Sequence, residues 1–263
     1  MELYLGTGGY SNDDWVGLLY PPEVKKSDWL RVYAEKFNAV ELNASFYAIP
    51  GVKAFRGMLE KSGGRVRFAV KLHQSMTHAR DADDTMYTRM LESVAPLREA
   101  GVLGPFLAQF PYSFHRTAAN RQYLLELVQH FEGERLTLEF RHESWNQLEV
   151  RQSIASFGLV WTSVDYPPLR GLPGPDLHSS AGMIYLRLHG RNKSTWWDGK
   201  SAAERHDYLY SADELRPFLL RIAELQDDLE QVWLLFLNTT KGHALKNLAM
   251  VRELASELGL AEQ

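Results

Sequence analysis

The sequence predicts an α/β fold, a (β/α)8 TIM-type barrel that forms one domain over residues 1–263. Eight short runs of apolar, β-branched or aromatic residues recur along the chain, and segments with apolar residues at helical spacing separate most of them. The length of 263 residues suits this architecture, which uses about 250 residues as one unit. About eight such units close more naturally into a barrel than into an open doubly wound sheet, which is the structural alternative.

The eight runs are the predicted strands. They cover residues 2–6, 38–43, 66–71, 104–110, 136–141, 159–165, 183–189 and 232–238. The helices between them are predicted from apolar positions three or four apart, because such positions share one face of a helix. The clearest examples are Leu124, Leu125, Val128 and Phe131, and Leu215, Leu219, Ile222 and Leu225.

The last of these helices carries two signals at its start. Ser211 stands three residues before Glu214, which is the spacing of a capping box. Pro217 lacks the amide hydrogen that a helix interior uses, so it predicts a bend or a shortened start.

One strand-helix unit is irregular. The connection from strand six to strand seven, residues 166–182, is rich in turn-forming residues: Pro167, Pro168, Pro173, Pro175, Gly171 and Gly174. The helix between strands six and seven is therefore predicted to be reduced or missing. A second long connection, residues 190–211, carries the aromatic residues Trp196, Trp197, Tyr208 and Tyr210.

Composition excludes several classes of protein. The formal net charge of −4 gives no global attraction to nucleic acids. The absence of cysteine excludes disulfides, thiolate catalysis and cysteine-ligated metals, and it suits a reducing compartment. The first residues do not form a signal peptide pattern, and no run of about 18 apolar residues occurs. We expect a cytoplasmic protein with no membrane partner, and the sequence leaves its oligomeric state open.

Polar residues stand at the ends of most predicted strands. Residues two apart in a strand share a face, so the apolar residues that suit the helix-facing side leave their neighbours for the barrel interior. The predicted inward pairs are Glu41 and Asn43, Ala69 and Lys71, Leu107 and Gln109, Glu139 and Arg141, Ser163 and Asp165, Arg187 and His189, and Phe236 and Asn238. Active sites of barrels lie at the carboxyl ends of the strands, so this pattern predicts a site there.

Two interpretations of the charged strand ends stay open at this point. The acids and bases neutralise one another in a buried structural network, or they form the rim of a ligand-binding site. Buried charges cost stability relative to apolar packing, and functional sites are where they tend to persist. The pattern therefore favours the ligand-binding rim.

Several stretches of the chain resemble one known family. They are VELNASFYAIP at 40–50, FAVKLHQSMTH at 68–78, LGPFLAQFPYSF at 103–114, EFRHESW at 139–145, YLRLHG at 185–190 and the region 236–247. These motifs resemble the YecE-like family, domain of unknown function 72. The resemblance implies a TIM-barrel fold and no settled activity. It points to Glu41, Asn43, Tyr47, Lys71, His78, Gln109, Glu139, Arg141, Trp145, Asp165, Arg187 and His189 as site residues.

The chain departs from the family pattern in two places. The family's paired asparagines after the eighth-strand phenylalanine become Leu237-Asn238 here, and its serine-threonine after Asn43 becomes Ala44-Ser45. A role of the first asparagine of that pair does not carry over to this chain.

The leading functional hypothesis is an enzyme that binds a small polar or anionic substrate, including a phosphorylated one. The residues expected to handle protons are Glu41, Glu139, Asp165 and His189, and those expected to bind substrate are Asn43, Tyr47, Lys71, His78, Gln109, Arg141, Trp145, Arg187 and Asn238. Residues 238–243, which lead from strand eight into a helix, offer hydroxyls and amides to a phosphate.

Two alternatives remain beside this hypothesis. A metal centre would draw on carboxylates and His189, but no His-x-His or HExxH spacing occurs and neighbouring cations repel a metal, so no metal and no cofactor are predicted. A nucleic-acid or phosphodiester-binding protein would use the aromatic and basic loop 190–210, in which aromatic rings stack on bases. Aromatic residues that pack inward over the barrel mouth are the other interpretation of that loop.

Overall fold

The computed structural model describes residues 1–260. Eight parallel strands form a closed barrel in chain order. The strands are Glu2–Thr7 (β1), Ala39–Leu42 (β2), Arg67–Lys71 (β3), Leu103–Phe110 (β4), Leu136–Phe140 (β5), Val160–Asp165 (β6), Met183–Leu188 (β7) and Gln231–Phe236 (β8). β1 closes the barrel by pairing with β8, from Glu2 opposite Gln231 to Thr7 opposite Phe236. The predicted (β/α)8 barrel is thus confirmed.

Helices connect most of the strands. Among residues 1–260 the α-helices are Trp29–Tyr33 (α1), Val52–Ser62 (α2), Gln74–Thr77 (α3), Asp84–Ser93 (α4), Ala95–Glu99 (α5), Ala118–Gln129 (α6), Leu148–Ser156 (α7), Ala202–Arg205 (α8), Ala212–Leu225 (α9) and His243–Glu257 (α10). Within the described residues no helix is long and apolar enough to cross a membrane.

The three local predictions about helices have different outcomes. Residues 166–182, all of them described, contain no helix, so the missing crossover helix between β6 and β7 is confirmed. Ser211 and Glu214 form the predicted capping box at the start of α9. The prediction that Pro217 shortens α9 is wrong, because the helix runs from Ala212 to Leu225 with the proline inside it. The capping box and the buried apolar face of α9 hold the first turn in place.

Buried apolar residues fall into an inner and an outer cluster. The inner cluster joins residues of seven strands and is therefore the barrel interior: Tyr4, Ala39, Ala69, Leu107, Val160, Met183, Tyr185, Trp233, Leu235 and Leu237. The outer cluster packs the helices against the sheet and includes Trp161 and Phe236. Because side chains alternate along a strand, these clusters identify the inward residues of each strand.

Inward assignments are correct for β2, β3, β4, β5 and β7 and wrong for β6 and β8. In β6, Val160 belongs to the inner cluster and Trp161 to the outer one, so Ser163 and Asp165 lie on the outer face. In β8, Trp233, Leu235 and Leu237 belong to the inner cluster, so Phe236 and Asn238 lie outside. In both strands the polar end residue finds its hydrogen-bond partners in outer loops and helices, as shown below.

Candidate functional site

A cavity of about 630 Å³ opens at the carboxyl-terminal ends of the strands. Many of the residues predicted for a binding site line it: Asn43, Tyr47, Lys71, His78, Gln109, Arg141, Arg187 and His189. The volume falls in the range of about 300–1,000 Å³ that small-molecule sites occupy. The structure therefore gathers at one opening the predicted residues that follow or end five different strands.

A buried group of charges anchors the floor of this cavity. Arg187 donates from Nε to Glu41 Oε2 at 2.9 Å and from Nη2 to Glu41 Oε1 at 2.7 Å, and its Nη1 donates to Glu139 Oε2. The hydroxyl of Tyr185 donates to Glu41 Oε2 at 2.9 Å, and that of Tyr166 donates to Glu139 Oε1 at 2.5 Å. Both carboxylates are fully buried. We call Glu41, Arg187 and Glu139 the buried triad.

Glu139 is held as an anion. Burial raises the pKa of its carboxyl group, but the charge of Arg187 and the nearby His189 and Arg141 outweigh burial, and the pKa lies well below its ordinary value. Arg141 Nε is 3.6 Å from Glu139 Oε1. A carboxylate in this environment stabilises cations and does not serve as a proton donor at neutral pH.

Lys71, at the end of β3, projects into the cavity beside the triad. Its Nζ donates to Gln109 Oε1 at 2.9 Å and lies 4.4 Å from the centre of the Phe46 ring. The hydroxyl of Ser45 lies 2.6 Å from the carbonyl oxygen of Lys71 and 2.9 Å from that of Leu42, which ties the ends of β2 and β3 together. Burial, followed by the charges of Arg187 and Arg141, lowers the pKa of Lys71 to about 7.

Two arginines beside the cavity have a buried Nε atom that makes no hydrogen bond. Among the described residues, the Nε atoms of Arg141 and Arg205 have no hydrogen-bond partner, although Arg141 Nε forms the longer ion pair of 3.6 Å with Glu139. Both side chains line the cavity, and Arg205 lies over the Trp196 ring, 5.8 Å from its centre. A buried charged donor without an acceptor is costly, so these two groups are candidates for contact with a bound anion.

Two cavity histidines are held in their neutral form, and a contact defines the tautomer of His206. His206 Nδ1 lies 2.7 Å from the carbonyl oxygen of His189, which only accepts, so Nδ1 carries the proton and Nε2 keeps its lone pair. His189 Nε2 lies 3.4 Å from Arg187 Nη1 and 3.8 Å from Glu139 Oε1, and among the described residues its buried Nδ1 has no hydrogen-bond partner. Burial lowers the pKa of His206 to about 4 and that of His189 well below its ordinary value.

His78 is a third neutral histidine in the cavity wall. Its Nδ1 lies 2.9 Å from the Thr77 hydroxyl, and its ring meets that of Phe46 edge to face. Burial, then the charges of Lys71 and Arg141, lower the pKa of His78 to about 4. The cavity therefore carries its positive charge on lysine and arginine, and its histidines supply neutral donors and acceptors.

The rest of the wall comes mostly from residues that sequence reasoning did not assign to the site. They are Gly8, the segment 11–14, Phe46, Ala203, Arg205, His206 and Leu237. Thr239 and Thr240, which also line the wall, belong to the loop predicted to hold a phosphate. Lys241 of that loop is engaged elsewhere, since its Nζ donates to Asp207 at 2.6 Å and its backbone amide donates to Asp14 at 2.8 Å.

Asp165 lies outside the cavity, contrary to the sequence prediction. It accepts two hydrogen bonds from Arg191 Nε and Nη2, at 2.9 and 3.0 Å, and one from the Tyr210 hydroxyl at 2.6 Å. The Tyr210 ring packs on Phe236 in the outer layer. Asp165 therefore links the end of β6 to the 190–211 connection and takes no part in the cavity.

Trp145 and Asn238, both expected to bind substrate, are structural residues of the outer layer. Trp145 is buried in a stack with Phe114 and Phe140, and its Nε1 donates to the carbonyl oxygen of Phe114 at 2.7 Å. Asn238 Nδ2 donates to Asn247 Oδ1 at 2.9 Å and also contacts a backbone oxygen of the 190–211 loop. Leu237, the departure from the family pattern, faces the cavity in place of the polar residue.

Most aromatic residues of the 190–210 loop pack inward. Trp196 and Tyr210 are buried, and Tyr208 packs against the outer core. Trp197 is 51% exposed and meets the ring of Tyr112 edge to face. A surface that stacks bases needs several exposed rings, and among the four aromatic residues of this loop only Trp197 is exposed.

The acidic and histidine side chains do not gather into a metal-binding group. Among residues 1–260, no set of three or more His, Asp or Glu side chains lies close enough together to hold a metal ion. Among the described residues, the charged groups that line the cavity are four cationic side chains, Lys71, Arg141, Arg187 and Arg205, and two carboxylates, Asp13 and Asp14, so the larger share repels a cation and attracts an anion.

A closed barrel of eight parallel strands with helices between them defines a TIM-barrel protein, and its cavity opens at the carboxyl ends of the strands. The chain belongs to the DUF72 family: the model of that family, described as "Protein of unknown function DUF72", matches residues 4–262. The resemblance to the YecE-like family is thus confirmed.

Relatives of known sequence and structure agree with this assignment. The chain is 30% identical over 268 residues to UPF0759 protein YunF of Bacillus subtilis (strain 168), covering 96% of this chain and 94% of that protein. It is 33% identical to the crystal structure of a DUF72 family protein from Thermotoga maritima, with a TM-score of 0.89 and coverage of 97% and 100%. A DUF72 family structure from Enterococcus faecalis, 23% identical, has a TM-score of 0.85 and covers 99% of this chain and 97% of that one.

Proposed function

We propose that this protein is an enzyme that binds a small carboxylate- or phosphate-bearing substrate in the strand-end cavity. The observation that carries the proposal is the pair of cavity-lining guanidiniums, Arg141 and Arg205, whose buried Nε atoms hydrogen bond no described residue. Native proteins satisfy nearly all buried polar groups, and an oxyanion is the partner that a guanidinium accepts best.

The buried triad supports this cavity and does not itself bind the anion. Arg187 directs three of its N–H groups at Glu41 and Glu139, so its charge is already compensated. The two carboxylates, expected from sequence to handle protons, accept hydrogen bonds from arginine and tyrosine at every oxygen. We therefore assign Glu41 and Glu139 as positioning residues.

Proton transfer in the cavity is better served by nitrogen atoms. Burial and the neighbouring arginines lower the pKa of Lys71 to about 7, so its amine exchanges a proton near neutral pH. His206 presents an Nε2 lone pair, since its other nitrogen donates to the carbonyl oxygen of His189. A cavity that only stored or transported an anion has no need of a lysine with this pKa.

Titration calorimetry with lactate and glycerol 3-phosphate tests the proposal, and uncharged glycerol is the control ligand. We expect Arg141→Met and Arg205→Met each to weaken binding of whichever anion binds by at least about tenfold, since a hydrogen bond to a charged group contributes about 1.5–3 kcal/mol. Arg216→Met is the matched control variant, because Arg216 pairs with Glu257 on the surface.

Binding that is unchanged in both cavity variants would contradict the proposal. So would a failure of both anions to bind the wild-type protein, or equal binding of glycerol. Melting temperatures of all variants, measured without ligand, separate a loss of binding from a loss of folding.

A further inference from the structure

We propose that Lys71 is a catalytic residue that forms a covalent imine with the carbonyl group of an anionic aldehyde or ketone. This inference rests on the proposed function, because the side chains that hold the carboxylate or phosphate of the ligand are Arg141 and Arg205. It goes further by naming the reactive group and the chemical class of substrate.

The contacts of Lys71 leave its amine available for reaction. Its Nζ has one described hydrogen-bond partner, Gln109 Oε1 at 2.9 Å, and among residues 1–260 no carboxylate forms an ion pair with it. Glu41 and Glu139, the two acids whose charges raise the pKa of Lys71, form ion pairs with Arg187 instead. A lysine in a cavity full of charge is therefore left without the carboxylate that ordinarily keeps it protonated.

The surroundings of Lys71 favour the neutral amine, which is the nucleophile. Burial, then the charges of Arg187 and Arg141, lower the pKa of Lys71 to about 7, and Glu139 and Glu41 oppose this shift. His78, the other titratable group beside it, is neutral. About half of the amine is thus unprotonated at pH 7, which an ordinary exposed lysine reaches only near pH 10.5.

Arg141 and Arg205 line the same cavity as the amine of Lys71, together with His78 and His206. An anion held by Arg141 and Arg205 therefore occupies the cavity into which Lys71 projects. A small ligand with an oxyanion at one end and a carbonyl group near the other fits a cavity of about 630 Å³.

The reaction balances without a further reactant. The lone pair of Lys71 Nζ attacks the carbonyl carbon, and the carbonyl π electrons move to oxygen, which takes a proton and becomes a hydroxyl. Nitrogen then loses a proton to solvent, the hydroxyl takes a second proton from solvent and leaves as water, and the nitrogen lone pair forms the C=N bond of a protonated imine. The imine, once protonated, draws electrons from the adjacent carbon and weakens the bonds of that carbon.

Reductive trapping tests the inference with two matched pairs of ligands. Pyruvate and dihydroxyacetone phosphate carry a carbonyl group, and lactate and glycerol 3-phosphate are their alcohol counterparts. The protein is incubated with each in the presence of sodium cyanoborohydride, which reduces an imine to a stable secondary amine. Intact mass and peptide mapping then locate the adduct. We expect one adduct, on the peptide that contains Lys71, from pyruvate, dihydroxyacetone phosphate or both, and none from the alcohols.

Two lysine variants and the pH dependence of trapping test whether the adduct forms on Lys71. Lys71→Met should lose the adduct, and Lys53→Met, which changes an exposed lysine of α2, should keep it. The rate of trapping should rise about tenfold from one pH unit below the pKa of Lys71, about 7, to well above it. Lys71→Gln serves if the methionine variant does not fold.

Each outcome separates this inference from the proposed function. Lactate or glycerol 3-phosphate that binds the wild-type protein, with no carbonyl adduct at Lys71, overturns the inference and leaves the proposed function standing. An adduct that persists in Lys71→Met, or that forms equally on exposed lysines, also overturns it. If neither alcohol anion binds the wild-type protein, the proposed function fails and the inference fails with it. Adducts from pyruvate alone or dihydroxyacetone phosphate alone identify the carboxylate or the phosphate as the recognised group.

Discussion

The buried triad makes a quantitative prediction about stability and pH. Arg187→Met removes the partner of two fully buried carboxylates, Glu41 and Glu139, but preserves most of the apolar length of the side chain. Breaking a buried ion pair by removing one partner costs about 3–5 kcal/mol. This loss is smaller than the free energy of unfolding of most domains, about 5–15 kcal/mol, so we expect the variant to fold.

The size of the loss depends on pH because an unpaired carboxylate can protonate. For a carboxyl group with the ordinary pKa of 4.5, protonation costs about 5 kcal/mol at pH 8 and under about 1 kcal/mol at pH 5. The cost of protonation is the upper limit of the free-energy penalty for each buried carboxylate that has lost its arginine partner. We therefore expect the variant to lose about 3–5 kcal/mol at pH 8 and about 1–2 kcal/mol at pH 5.

The sign follows from Glu139. In the wild-type protein its pKa is lowered, so its contribution to stability is present above pH 4.5 and is lost as the pH falls through the lowered value. Without Arg187 we expect burial to outweigh His189 and Arg141 and to raise the pKa of Glu139, so that its contribution is present below pH 4.5 and is lost as the pH rises through the raised value. The difference between the two proteins therefore widens from pH 5 to pH 8.

Urea unfolding followed by circular dichroism at about pH 5 and about pH 8 measures this difference, with the slope m checked for constancy. Arg216→Met, which breaks an exposed pair with Glu257, is the matched control and should cost under about 1 kcal/mol at both values. A loss that is the same at both pH values, or a loss under about 1 kcal/mol at pH 8, would refute the electrostatic account of the triad.

Two further predictions concern residues outside the cavity. Asp165→Asn should lower the free energy of unfolding by about 1–3 kcal/mol, because it weakens contacts with Arg191 and Tyr210. Calorimetry should show unchanged affinity for lactate and glycerol 3-phosphate, and weaker anion binding at unchanged stability would contradict this prediction. The nucleic-acid alternative stays a prediction. If loop 190–210 binds phosphates, the affinity for oligonucleotides measured by filter binding should fall steeply with added salt and should also be lower in Trp197→Ala. Absence of binding at low salt would eliminate this alternative.

The strands and the polar ends of β2, β3, β4, β5 and β7 were predictable because each pattern has a physical cause. Parallel strands covered on both faces read as short apolar runs, and a charged residue interrupts such a run only where the chain gives it a partner or solvent. Glu41, Lys71 and Arg187 are interruptions of this kind, and all three lie at the cavity or directly beneath it. Because side chains alternate along a strand, the inward assignment of one residue also assigns the residues two positions away to the same face.

The errors in β6 and β8 arise from the same rule. In β6 the inward residues Val160, Thr162 and Val164 are small and β-branched, as a narrowing barrel interior requires, while bulky Trp161 faces the helices. The prediction placed Asp165 inward because it is an acid at the end of a strand, and this pattern of residue sizes was not used. In β8 both faces are apolar from residue 232 to 237, so polarity at Asn238 alone decided the assignment.

Loop residues of the site were beyond the reach of strand patterns. Arg205 and His206 belong to the 190–211 connection, and the segment 11–14 belongs to the connection after β1. No periodicity places a loop residue over a particular strand end. Pairing across the barrel was equally inaccessible, because Arg187 meets Glu41 over a sequence separation of 146 residues and either carboxylate was an equal candidate from sequence.

The two interpretations of the charged strand ends are parts of one arrangement. Arg187 holds both buried acids, Glu41 and Glu139. The two acids of the cavity rim are also engaged, since Asp13 pairs with Lys26 and Asp14 accepts from the backbone amide of Lys241. The guanidinium groups of Arg141 and Arg205 are the positive charges of the cavity wall whose Nε atoms have no hydrogen-bond partner among the described residues. Burial, followed by the charges of Arg187 and Arg141, lowers the pKa of Lys71, and a bound anion that compensates those charges would raise that pKa. If the cavity binds an anion as proposed, we expect ligand binding and protonation of Lys71 to be thermodynamically linked through Arg141.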